Sequence, residues 1–331
     1  MTSYAFASNR YDTMPYRRCG KSGLKLPVLS LGFWQVLGEA GYEDVCRQCC
    51  YHAFDHGVTH FDLANSYGVP SGHSERVVGN ILRDMPRDEL IVSTKAGHFM
   101  WPGPYGDWGS RKCLIPSLDQ SLQRLGLDYV DIFYHHRPDP ETSQAETLGA
   151  LDQIVRQGKA LYIGVSKYNG QEFLKALETV NAGRLSPLTI HQARYSMLGR
   201  AIETDLLPVT HQAGTGVIAF SCLAGGMLSD RYLHGLPADS RRGKTPDAKQ
   251  WYDKHQAAGM WKRIAALNAI AQARGQTLAQ MAVTWVLRDE RIASVLTGVS
   301  RLEQLKDTLA AVTAPPLSAE ELRQIEAILA S

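Results

Sequence analysis

No stretch of this 331-residue chain approaches the ~20 consecutive apolar residues that span a bilayer. Its first ten residues, MTSYAFASNR, lack the charged start and apolar run of a secretory signal, so a soluble, cytoplasmic protein is expected. Charge of one sign is equally scarce. Thirty-five Lys and Arg against 33 Asp and Glu leave a formal net charge of +2, which argues against nucleic acid or an anionic membrane as the partner. Six cysteines are too few for a disulfide scaffold. Cys46-x-x-Cys49, with Cys50 and with His52, His56 and His60 nearby, suggests a zinc or redox site, but no second Cys-x-x-Cys pair accompanies it. Buried, reduced thiols are the expected state, and no metal is expected.

Nucleotide fingerprints are missing as well. Gly214-x-Gly216-x-x-Ala219 matches only a loose dinucleotide motif and leads into a strand instead of joining a strand to a helix; no Walker A sequence occurs.

What is present is a core-forming composition, 44% hydrophobic and 21% charged, patterned as alternating strands and helices. Eight short β-branched or aromatic runs stand out: Val28–Leu31, Thr59–Leu63, Leu90–Thr94, Val130–His135, Ala160–Val165, Thr189–His191, Val217–Phe220 and Ala293–Leu296. Amphipathic stretches follow them. Glu43–Asp55 stops before Gly57, Leu118–Leu125 before Gly126 and Leu148–Val155 before Gly158, each glycine being a helix-stop signal. Helices are also expected over Leu302–Val312 and Ala319–Leu329. Eight βα units predict a (β/α)₈ TIM barrel, whose usual size is roughly 250 residues or more. The excess is assigned to an N-terminal hairpin at 14–27, long loops at 96–110 and 223–258, and extra C-terminal helices. One domain over 1–331 is therefore expected, with the hairpin closing the barrel bottom.

Barrel enzymes build their sites at the C-terminal ends of the strands, and those ends are polar here: Asp62 with Tyr67 beyond it, Lys95, His135-His136, Ser166-Lys167 and Gln192. Asp, Tyr, Lys and His together make a proton-transfer device. A phenol is protonated at neutral pH, a neighbouring ammonium is expected to lower its pKa, and a carboxylate holds that ammonium in place. Tyr67 can then protonate a carbonyl oxygen that a histidine orients. Two electrons are still required, and a nicotinamide cofactor is the usual hydride donor.

The segment Phe61-Asp62-Leu63-Ala64-Asn65-Ser66-Tyr67-Gly68, with Ser74-Glu75 and Gly79, resembles the signature of the aldo-keto reductase superfamily. Val92-Ser93-Thr94-Lys95 resembles its lysine strand and Gly164-Val165-Ser166 its cofactor-amide strand. Met100–Gly106, Gly109–Lys112, Ser117-Leu118-Asp119 and Tyr129–Tyr134 are similar to the L-glyceraldehyde-3-phosphate reductase branch, which is related to potassium-channel β-subunits. The resemblance implies an enzyme that reduces small aldehydes, including triose phosphate and methylglyoxal, with NADP(H), and a homo-oligomer of four or eight copies. It implies a catalytic tetrad of Asp62, Tyr67, Lys95 and His136, with His135 as the competitor for the last place. Strand parity leaves that choice open; the following Arg137 favours His136. A histidine there also favours the enzymatic branch over an NADP(H)-binding, redox-sensing channel subunit.

For the cofactor, the resemblance implies Asp62, Ser166 and Gln192 at the nicotinamide end, Gly32 and Trp34 beside it, and Phe220 stacked on the ring. Ser221, Cys222, Leu223, Ala224, Gly226 and Arg231 fall near the pyrophosphate. Ser300, Arg301, Gln304, Asp307 and Thr308 fall at the adenosine end, with Arg231 and Arg301 favouring NADPH through paired hydrogen bonds to phosphate. Trp34, Tyr67, Trp101 and His136 are implied as substrate contacts. Arg111 and Lys112 are open between a substrate phosphate and a helix start. Arg241, Arg242 and Lys244 read as a solvated stretch.

Overall fold

A computed structural model describes residues 4–34, 36–238, 240 and 242–331; Arg241 of the basic stretch lies outside the described residues. Two short strands, β1 (Tyr16–Arg18) and β2 (Lys25–Pro27), pair as an antiparallel hairpin. Eight parallel strands then close into a barrel: β3 (Leu29–Gly32), β4 (His60–Asp62), β5 (Ile91–Ala96), β6 (Val130–His135), β7 (Ala160–Ser166), β8 (Leu188–Arg194), β9 (Gly216–Phe220) and β10 (Ile292–Thr297). β10 pairs with β3 to complete the ring. Each predicted run falls on one of these strands.

The outer layer is set by local stop and start chemistry. α1 (Glu43–Asp55) ends before Gly57, and α3 (Arg111–Leu125) begins at Ser110, whose hydroxyl accepts from the Cys113 amide, and ends at left-handed Gly126. α2 (His73–Leu82), α4 (Gln144–Arg156), α5 (Gly170–Gly183) and α6 (Leu206–Ala213) follow their strands in turn. Reciprocal capping pairs open α5 (Asn169 and Glu172) and α9 (Leu278–Leu287; Thr277 and Gln280). α10 (Leu302–Ala310) follows β10, and α11 (Ala319–Ala330) ends the chain.

The 223–258 stretch, expected as a loop, carries helix α7 (Ala248–Ala257), which leads through Gly259 into α8 (Met260–Ala273). Its apolar face is built from aromatics instead of aliphatic residues: Trp251 packs 5.5 Å from Tyr232 and 5.7 Å from Trp261, ring centre to ring centre. Aliphatic periodicity therefore gives no sign of it.

The hairpin lies across the barrel bottom. Cys19, Leu24 and Leu26 join Ile132, Tyr134, Ile190, Ile218 and Leu296 in a buried cluster distinct from the larger core between barrel and helices. The glycines of the loose dinucleotide motif serve this contact. Gly214 accepts a hydrogen bond from the Lys21 amide, and a Cβ on Gly216 would lie 2.3 Å from Cys19 Sγ.

Candidate active site

Register fixes which residues meet at the opposite end. Gly32 pairs with Asp62, Asp62 with Ser93, Lys95 with Tyr134, and Ser166 with Gln192. Side chains alternate along a strand, so Lys95 enters the barrel together with Tyr134, and the next inward position on that strand path is His136. His135 points the other way, its Nδ1 lying 2.8 Å from the Tyr168 hydroxyl. It is His136 whose ring faces Tyr67, edge to face at 5.8 Å between centres.

Lys95 is completely buried and donates to Asp62 Oδ2 at 2.5 Å and to the Leu63 carbonyl at 2.6 Å; the Tyr67 hydroxyl is farther, at 3.4 Å. The other Asp62 oxygen accepts from Ser93 Oγ at 2.7 Å and Gln192 Nε2 at 3.1 Å. Burial lowers the Lys95 pKa and Asp62 opposes that. Burial, reinforced by the Asp62 charge, pushes the half-buried Tyr67 phenol well above its ordinary value. The sequence argument expects the opposite direction. The reason for the difference is geometric: the ammonium makes its shortest contacts to Asp62 and Leu63, so dehydration and the carboxylate dominate at the phenol. Tyr67 is accordingly protonated at neutral pH. His136, buried among the cations Lys95 and Lys167, is held well below the usual imidazole range and is neutral.

Beneath this cluster runs a buried chain of hydroxyls and imidazole. Ser294 Oγ lies 2.6 Å from Ser30 Oγ, Ser30 Oγ 2.9 Å from His60 Nδ1, and His60 Nε2 2.9 Å from Ser93 Oγ. Burial drops His60 to about 4, so the ring is neutral with one donor and one acceptor. Ser93 donates its only proton to Asp62, so it must accept from His60 Nε2–H; Nδ1 then accepts from Ser30, and Ser30 from Ser294. Every donor in the chain points toward the carboxylate, an arrangement in which successive bonds reinforce one another. Sequence reasoning considers His60 only as a ligand of a zinc site it sets aside, and gives Ser93 no role. The missed signal is parity: His60 is two residues before Asp62 and Ser93 two before Lys95, on the same inward faces.

The cysteine cluster lies elsewhere. Cys46, Cys49 and Cys50 are free, buried thiols in the core packed around the barrel, and among the described residues no group of three or more His, Cys, Asp or Glu is placed to hold a metal. Among the same residues no helix is long and apolar enough to cross a membrane.

The remaining predicted residues lie at the ends of β3 and β9 or on the segments that follow β3, β5, β9 and β10. Trp34, 57% exposed, follows β3; Trp101 lies in the loop after β5, where its carbonyl packs against Gly106. A Cβ on Gly32 would meet no protein atom nearer than 3.6 Å. Phe220 ends β9 and is half-buried; beyond it Ser221 and Ala224 hold left-handed backbones (φ 58° and 49°), as does Gly226 (φ 95°). Leu223 is half-buried, and the buried Cys222 thiol donates to the Ala219 carbonyl. Gln304 Oε1 accepts from both the amide and the hydroxyl of Ser300, while Arg301 is exposed at the start of α10. Two predicted adenosine contacts have internal partners: Thr308 donates to the Gln304 carbonyl within α10, and Asp307 accepts from Thr277 and Gln280 of the neighbouring helix cap. Burial raises the Asp307 carboxyl, and the charge of Asp230 adds to that.

A closed parallel barrel with a buried Lys–Asp pair, a phenol and a histidine at the C-terminal mouth defines a class of carbonyl-reducing barrel proteins. The chain belongs to the Aldo/keto reductase family, whose profile matches residues 28–330. It is 48% and 47% identical to proteins named L-glyceraldehyde 3-phosphate reductase from Escherichia coli O157:H7 and strain K12, in each case over 96% of this chain and 93% of the relative. A probable voltage-gated potassium channel subunit beta from Arabidopsis thaliana is 34% identical over 92% of this chain and 93% of its own. Among solved structures, a thermostable aldo-keto reductase in complex with the inhibitor epalrestat superposes with a TM-score of 0.75 at 28% identity, covering 95% of this chain and all of that one.

Members of this family are oxidoreductases that use a nicotinamide dinucleotide. The residues here fit such a group. Ser166 Oγ and His136 Nδ1 are buried polar atoms without a hydrogen-bond partner among the described residues, and buried polar atoms are nearly always paired. Ser221, Ala224 and Gly226 after β9 hold left-handed backbones, the conformation from which phosphate-binding nests of successive N–H groups are built.

Proposed function

We propose that the protein reduces small aldehydes of the L-glyceraldehyde 3-phosphate and methylglyoxal type with NADPH. The observation that carries this reading is the cluster of Asp62, Lys95, Tyr67 and His136 at one barrel mouth. NADPH, when bound, supplies the hydride that adds to the carbonyl carbon. Tyr67, protonated at neutral pH, gives its proton to the carbonyl oxygen as negative charge develops there. Lys95, anchored by Asp62, places a positive charge 3.4 Å from the phenol oxygen and stabilises the phenolate left behind. Neutral His136 orients the carbonyl by hydrogen bonding and does not compete as the acid.

Ser166 and Gln192 would hold the carboxamide, Gly32, Trp34 and Phe220 would enclose the ring, and the 221–231 segment would take the pyrophosphate. Ser300, Arg301 and Gln304 are assigned to the adenosine 2′-phosphate end, with Asp307 and Thr308 supporting that end through the helix contacts described. Trp34 and Trp101 would wall the aldehyde pocket. A cytoplasmic homo-oligomer completes the proposal, carried over from the resemblance.

Steady-state oxidation of NADPH with glyceraldehyde 3-phosphate and with methylglyoxal tests it. Saturable turnover with either is the expected result. NADPH binding without turnover above background would overturn it in favour of an NADP(H)-binding sensor, the reading that the 34% identity to a probable channel subunit supports.

A further inference from the structure

One basic group at the mouth has no part in the chemistry so far. Lys167 directly follows β7 with a left-handed backbone (φ 64°), a conformation that costs a non-glycine residue roughly 1–2 kcal/mol. Its amide donates to the Gln192 carbonyl, and the turn sends Tyr168 outward to His135 while Lys167 stays exposed at the rim. Lys167 Nζ donates to His98 Nε2 at 3.1 Å. The His98 ring stands edge to face against His136 at 4.4 Å, and His136 faces Tyr67. A continuous path of side chains thus runs from Lys167 through His98 and His136 to Tyr67.

The charges along this path are unbalanced. The ionic neighbours acting on Lys167 are Lys95 and Arg137, both cations. His98 is pushed down to about 4 by burial and then by Lys167 and Arg137, with Asp107 opposing. Asp107 is already paired with Arg137 at 2.7 Å, and Asp62 with Lys95. Among the described residues no carboxylate pairs with Lys167. Arg137 also donates to the Gly97 carbonyl at 2.9 Å and covers the Trp108 ring, which fixes the backbone that presents His98. Of the two cations the sequence leaves open for a substrate phosphate, Arg111 is turned to α4, where its amide donates to Glu146 and its guanidinium to the Gly149 carbonyl, and Lys112 lies over the Tyr105 ring.

We propose that Lys167 and His98 form the subsite for the phosphate of a phosphorylated short-chain aldehyde whose carbonyl lies between Tyr67 and His136. This rests on the reduction reading above and adds the substrate's charge to it. A dianion there supplies the negative charge that the mouth lacks, with Lys167 as a charged donor and His98 as a second donor through an N–H. The proposed cofactor-phosphate residues follow β9 and β10, whereas Lys167 and His98 follow β7 and β5, so the two phosphates are assigned to different strand ends.

The test compares glyceraldehyde 3-phosphate with unphosphorylated glyceraldehyde in wild type, Lys167→Met, Lys167→Arg and His98→Phe. The quantity read is the ratio of kcat/KM for the phosphorylated over the unphosphorylated aldehyde. Loss of a charged hydrogen bond is expected to lower that ratio tenfold or more in Lys167→Met, and less in His98→Phe, with Lys167→Arg restoring most of it. Binding of glycerol 3-phosphate, glycerol and inorganic phosphate to the wild type and Lys167→Met, followed by calorimetry, gives a readout that needs no turnover. Glycerol 3-phosphate binding tighter than glycerol, and weakened by Lys167→Met, supports the subsite even if no aldehyde is reduced, in which case the reduction reading fails alone. An unchanged ratio with reduction intact, equal binding of the two polyols, or a Lys167→Met effect confined to NADPH over NADH overturns the subsite.

Discussion

Lys95 and Asp62 form a fully enclosed ion pair, 2.5 Å apart, on neighbouring strands of the barrel. A buried pair contributes little net stability, but removing one partner leaves an uncompensated charge and typically costs about 3–5 kcal/mol. Asp62→Asn is therefore expected to lower unfolding free energy in urea by a few kcal/mol. Adding Lys95→Met in the same chain should restore much of the loss. Full additivity of the two single changes would argue against the pair.

Tyr67→Phe removes the proton donor and leaves the ring in place. The expectation is a fall in kcat of at least about a hundredfold, within the range for a general acid, with NADPH affinity measured by fluorescence titration little altered. Retention of near wild-type turnover would show that the proton comes from elsewhere.

The Ser294–Ser30–His60–Ser93 chain supports one oxygen of Asp62. Ser93→Ala deletes the last link and is expected to lower kcat by about tenfold, the effect of one hydrogen bond to a charged group, with a smaller change in KM. Ser93→Thr, which keeps the hydroxyl, should recover most of it. Nitrogen-15 NMR of His60 should report a neutral ring protonated at Nε2 from pH 5.5 to 8. A ring protonated at Nδ1 would break the direction assigned to the chain.

Acid should destabilise the fold before the carboxylates titrate. His60 and His135 are lowered by burial to about 4, and His191 to about 3. Their unfolded values lie near 6.5, so between about pH 6.5 and 4 the unfolded chain binds more protons and stability falls as pH falls. The slope is about 1.4 kcal/mol per pH unit for each such histidine. Melting temperature measured from pH 8 to 4.5 is expected to be flat above about 7 and to decline below 6.5. His191→Phe, in which a neutral ring replaces one of the three, should make the decline shallower.

The sequence by itself determined the barrel and pointed to the Asp, Tyr, Lys and His side chains that the fold gathers at one mouth. Strand periodicity and glycine helix stops are local properties, so all eight strands were legible, as were α1 and the ends of α3 and α4. The long loop after β9 was misread in part because α7 buries an aromatic face that carries no aliphatic rhythm. The choice between His135 and His136 needed the register of β5 against β6, which places Lys95 beside Tyr134 and makes His136 the inward histidine. The direction of the Tyr67 shift also belonged to the tertiary structure alone. Sequence proximity of a lysine implies an attraction to the phenolate, but electrostatic strength depends on distance and burial. Only the folded barrel sets 2.5 Å from lysine to aspartate against 3.4 Å to the tyrosine, and only closure removes the water that would otherwise screen both.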